Sequence, residues 1–191
     1  TLGSTAIALP LAWLMARRSF AGKPLLSGLL LLPMILPPFV GAIGMKTLFA
    51  RFGPLSLLCA KLGLADGPVD WLGHFPLLGI VLMESLHLFP ILYLNLAAAF
   101  ANIDPALEEA ARNLGAPPAR VFRRVTLPIA APGLFAGMTL VFLWSFTELG
   151  TPLVFGLRSV LPVKIYDNVS EIGTNPIGYA QVVFLLGITA I

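Results

Sequence analysis

Cysteine is nearly absent from this chain: Cys59 is the single thiol among 191 residues. One cysteine excludes an internal disulfide framework and a thiolate metal site, and leaves Cys59 as a small apolar filler. Charge is scarce too, at 11% of residues against 58% hydrophobic, with a mean hydropathy of +0.91. So little charge cannot cover the surface of a water-soluble domain, so composition places the chain in a bilayer. Short alternating strands are missing, which removes a β-barrel. There is no cleavable signal peptide, no Met at the start, and both ends fall inside apolar runs. That pattern is expected of a fragment of a longer membrane subunit. A nucleotide-binding loop is lacking as well, since Gly22-Lys23 runs into Pro24 without upstream glycines. Energy for any driven process would therefore come from another chain.

What is present is a set of five apolar segments, near residues 2–16, 25–42, 76–100, 127–146 and 177–191. Each is closed by charge or by Gly/Pro clusters, as membrane helices are. The expectation is an all-α, polytopic bundle forming one permease-like domain over 1–191. Alternating the spans puts residues 17–24 and 101–126 on one side. These carry seven basic residues: Arg17, Arg18, Lys23, Arg112, Arg120, Arg123 and Arg124. The longer stretches 43–75 and 147–176 carry five: Lys46, Arg51, Lys61, Arg158 and Lys164. Basic residues crowd cytoplasmic loops, so 101–126 reads as cytoplasmic. The same distribution explains the net charge of +3 without nucleic acid as a partner. Pro33, Pro37 and Pro38 predict a kinked or interrupted second span. Met45–Leu64 reads equally as a short interfacial helix or an irregular loop. Gly133 and Gly137 form a GxxxG pair in the fourth span, a weak signal for close helix approach.

Residues 104–115 hold a full set of helix boundary signals. Asp104 can cap, Pro105 suits the first turn, Glu108 and Glu109 sit near the positive dipole end, and Gly115 suits termination. A second short helix from Pro117 or Pro118 through Arg124 would complete a hairpin. So patterned a loop predicts docking of a soluble partner, because a plain connector needs only a few residues.

Glu109-Ala110-Ala111, three residues, Gly115, nine residues, then Val125-Thr126-Leu127-Pro128 resembles the EAA loop of inner-membrane permeases of ABC importers. These are MetI-like proteins served by a substrate-binding protein. The resemblance extends from Ser4 through the Leu86–Ala111 stretch. It implies a type I importer bundle in a bacterial inner membrane, with no catalytic residues, cofactor or metal of its own. It also implies partners: a cytoplasmic ATPase dimer that binds ATP, a periplasmic or lipid-anchored binding protein, and a second permease copy or fused second half. Carried over position by position, Glu108, Glu109, Ala110, Ala111, Gly115, Leu127 and Pro128 would couple to the ATPase.

Glu84, His87 and Asn95 lie in the third span. Ionisable groups there cost a few kcal/mol at mid-bilayer, so they should face an interior or aqueous route. They read equally as a translocation path or as interhelical hydrogen bonding. Glu148, a carboxylate at a membrane boundary, is a further candidate for that path. Phe146–Pro152, which contains it, followed by Leu161–Asp167, is similar to the iron(III)-type permeases of the same family. That resemblance implies iron(III) as cargo, with phosphonate, polyamine, sulfate and thiamine importers as close relatives. A membrane-embedded enzyme using Glu84 and His87 is the alternative of a different class. No HExxH or Ser/His/Asp pattern supports it.

Overall fold

The computed structural model describes residues 1–64, 67–72, 75–168 and 176–190. Part of the expected outer stretch 147–176, at 169–175, and Ile191 lie outside the described residues. Among the described residues the chain is helical throughout its regular structure, and it divides into two units.

The first unit comprises Thr1–Ile35 and Leu88–Phe142. It contains α1 (Leu2–Arg17), α2 (Lys23–Leu31) and part of α5 (Pro76–Ala101). After these come α6 (Pro105–Asn113), α7 (Pro118–Val121) and most of α8 (Leu127–Thr147). Ser4, Ala8, Ala12 and Met15 line the buried face of α1. Their spacing returns once per turn, and three of the four are small enough for close helix approach. Ala8, Ala12 and Met15 join Leu92, Leu96 and Phe100 of α5 and Ala130 and Val141 of α8 in one core. The GxxxG pair proves to be a packing device. A Cβ on Gly133 would lie 2.6 Å from Ala99 Cβ, and one on Gly137 would lie 2.5 Å from Leu92 Cδ1.

The second unit comprises 36–87 and 143–191. It holds α3 (Pro38–Leu48), α4 (Pro54–Lys61), α9 (Gly150–Phe155), α10 (Leu161–Asn168) and α11 (Ile177–Thr189). Ala42, Leu72, Ile80, Met83 and Phe155 form its core. Gly79 makes room for Phe155, whose ring an added Cβ would strike.

Two expectations need correction. Among the described residues, only Pro76–Ala101 and Pro118–Thr147 are long and apolar enough to cross a bilayer unaided, at 26 and 30 residues. The second apolar segment breaks, as its prolines predict: Leu32–Met34 tightens into a 3-10 turn and α3 restarts at Pro38. Its two pieces pass as a span only when taken together, while α1 and α11 are shorter apolar helices. Met45–Leu64 is neither alternative alone, because α3 runs on to Leu48 before a turn leads into α4. Second, the hairpin's second helix starts at Pro118 as expected but does not end at Arg124. From Pro118 the backbone passes through a π-helical stretch at Phe122–Thr126 directly into α8. Pro128 has no N–H to offer Arg124, and the chain loosens its hydrogen-bond register just ahead of it, Leu127 N–H donating to Phe122 O.

Candidate functional site

α6 is built by its ends. Asp104 Oδ1 accepts from Ala106 N–H at 2.9 Å, and Pro105 occupies the first turn where no donor is needed. At the other end Gly115 adopts φ +81°, which only glycine takes without cost. Gly115 N–H donates to Arg112 O at 2.8 Å and Ala116 N–H to Ala111 O at 3.1 Å. This paired closure satisfies carbonyls that the helix end would otherwise leave open.

The two faces of α6 differ. Glu108 turns inward and is 5% exposed. Its Oε1 accepts from Arg17 Nη2 at 2.6 Å and from Thr126 Oγ1 at 2.7 Å. Arg112 Nη2, one turn along α6, lies 3.5 Å from Oε2. One buried carboxylate thus fastens α6 to the end of α1 and to the approach to α8. Glu108, which the resemblance groups with Glu109 as coupling residues, is enclosed by residues of its own chain. The outward face presents Glu109 and Ala110, with Ala111 half-buried. Leu107 and Leu114 are 49% and 88% exposed, an unusual state for leucines on a polar loop. Leu107, Ala110, Ala111 and Leu114 fall on one helical stripe. Leu127 is half-buried and Pro128 exposed at the start of α8.

In the second unit Glu84 is 8% and His87 7% exposed. Glu84 and Glu148 line one cavity of about 240 Å³ with Ile80, Ser145 and Pro152. Glu84 Oε1 and the Thr151 hydroxyl are both buried, close enough to act on one another. Glu148 Oε1 accepts from the N–H groups of Gly150 at 2.9 Å and Thr151 at 3.2 Å, capping α9. At the far end of α9, Lys46 Nζ donates to Val154 O at 2.7 Å. His87 is not among the residues lining that cavity. Asn95 belongs to the first unit, where its Nδ2 donates to Ile91 O of its own helix at 2.9 Å. Of the four residues read as a path, the structure brings Glu84 and Glu148 together and leaves His87 and Asn95 elsewhere. Arg17, Thr126 and Thr151 escaped sequence reasoning. The Arg17–Glu108 pair joins residues 91 positions apart, and no local pattern signals it.

Long apolar helices with an exposed amphipathic helix between them mark a membrane protein. The chain belongs to the family of binding-protein-dependent transport system inner membrane components, whose pattern matches residues 8–191. It is the permease of an ABC importer and resides in the inner membrane; ATP hydrolysis falls to a separate subunit. The molybdenum transport system permease protein of Haemophilus influenzae is 34% identical over 178 residues, covering 90% of this chain and 75% of that protein. Other permeases named for molybdenum match at 32–36% identity. The spermidine/putrescine transport system permease of Escherichia coli is 30% identical over 143 residues, covering 75% of this chain and 51% of its own. The crystal structure of a bacterial ABC transporter involved in alginate import shares the fold at a TM-score of 0.73 and 19% identity. It covers 99% of this chain and 72% of that one.

These relatives do not support the iron(III)-type expectation. The residues behind that expectation have local structural roles: Glu148 caps α9, Thr151 and Pro152 are buried within it, and Pro162–Asp167 lies inside α10. The reading of Glu84 and His87 as an enzyme's acid/base pair gives way to the family assignment.

Proposed function

We propose that this permease carries molybdate or a similar tetrahedral dianion, delivered by a binding protein. Its outward α6 face would dock in a cleft of the ATPase. Two permease units and two ATPases would enclose one path, alternating between inward- and outward-facing states. The cargo reading is supported by the molybdenum permeases among the relatives. The coupling reading is supported by one observation above others: α6 buries its single inward carboxylate and leaves an apolar stripe beside Glu109 in the open. In this reading Glu109, Ala110, Ala111 and Gly115 meet the ATPase, while Glu108, Leu127 and Pro128 hold the helix at its angle.

A second reading, a cationic polyamine as cargo, is favoured by the two carboxylates that share the cavity in the second unit. Charge distinguishes the two, because an ionised Glu84 would attract a polyamine and repel a dianion. The test is uptake of labelled molybdate and of spermidine by the complete transporter in proteoliposomes, with wild-type permease and with Glu84→Gln. A molybdate importer takes up molybdate alone and keeps that uptake when Glu84 is neutralised. Spermidine uptake that falls on Glu84→Gln contradicts it.

A further inference from the structure

In the first unit two hollows share the residues Trp13, Pro118 and Phe122. One, of about 420 Å³, is an apolar slot completed by Leu9, Pro10 and Ala119. The other, of about 480 Å³, is lined by Arg17, Arg18, Arg112 and Glu108 beside the shared aromatics. Three guanidiniums against one carboxylate leave this hollow positive. Glu108 is already committed to Arg17 and Thr126, and Arg17 Nε is buried with no hydrogen-bond partner among the described residues. The aromatic pair Trp13–Phe122 meets edge to face at 5.7 Å on the boundary of the two.

Depth along α1 orders these features. Leu9 lies eight residues before Arg17, about 12 Å of helix rise, so the slot runs inward from the charged end of the helix. Tryptophan and arginine at such a boundary mark the headgroup level of a bilayer. A greasy slot opening into a basic hollow matches an amphiphile with an anionic head. We propose that this composite cavity binds one anionic phospholipid, its phosphate among Arg17, Arg18 and Arg112 and an acyl chain along Leu9, Trp13 and Phe122. The site touches α6 through Arg112, so a bound lipid would brace the helix from its inner side.

The test uses the full-length permease assembled with its ATPase in nanodiscs. These contain phosphatidylglycerol or phosphatidylcholine with a photoreactive acyl chain, at equal mole fraction. After irradiation, adducts on peptides bearing Trp13 and Phe122 are quantified by mass spectrometry. Phosphatidylglycerol adducts should dominate, and Arg18→Gln, at an exposed position, should cut that preference by about fivefold. Arg18→Lys should restore it. Ala119→Trp, filling the slot from an exposed position, should remove adducts of both lipids. Equal labelling by the two lipids, a preference indifferent to Arg18→Gln, or unchanged adducts in Ala119→Trp overturns the proposal. So does a preference present in the permease alone that vanishes on adding the ATPase, which would make the ATPase the occupant.

Discussion

Two adjacent glutamates illustrate how much one residue's direction decides. Glu108 and Glu109 are consecutive on α6, so their side chains point about 100° apart. Glu108 is enclosed by Arg17, Thr126 and Arg112, whereas Glu109 stays exposed. Replacing a buried, charge-bonded carboxylate by a neutral amide weakens its bonds and leaves Arg17 without its counter-charge. Glu108→Gln should therefore destabilise the permease by about 2–3 kcal/mol, visible as a lowered thermal midpoint in detergent. Glu109→Gln should leave that midpoint unmoved and instead reduce transport-coupled ATP hydrolysis. Equal thermal midpoints for the two variants would show that the inward contact contributes nothing.

Among the elements, α8 owes its place to residues that are missing side chains. Gly133 and Gly137 let it approach α5 so closely that added methyl groups would meet Ala99 and Leu92, and the Asn95 carbonyl lies 3.3 Å from a Cβ on Gly133. Backbone cannot step aside as a flexible side chain can. Gly133→Val should cost at least about 1–3 kcal/mol through overpacking, read as lost thermal stability or lower yield of folded protein in membranes. A variant as stable as the wild type would show that the helices need not be this near. The helix boundaries at Asp104, Pro105 and Gly115 were legible beforehand, because capping depends on neighbours within a few positions. The continuity from α7 into α8 was not. Pro117, Pro118 and Pro128 punctuate that segment as breakers, yet a π-helical stretch absorbs Pro128 within one 30-residue helix. Tertiary fastening of Thr126 to Glu108 helps hold that stretch, and a local reading cannot see it.

At the scale of the whole molecule, membrane class and importer family were readable from composition and from the Glu109–Pro128 spacing. Long-range pairs such as Arg17–Glu108 were not, since nothing local to either residue announces the other. The iron(III) reading finds no support among the relatives, and the Glu148–Pro152 segment on which it drew also serves to cap α9. The central claim is that the outer face of α6 receives work from the ATPase, and disulfide-directed cross-linking tests it most directly. With Cys59 replaced by Ser, Ala110→Cys or Leu114→Cys is introduced and cross-linked in the assembled transporter during ATP-driven uptake. Adducts should form with the ATPase subunit and block turnover. Adducts with the binding protein instead, or none while uptake proceeds, would contradict the account.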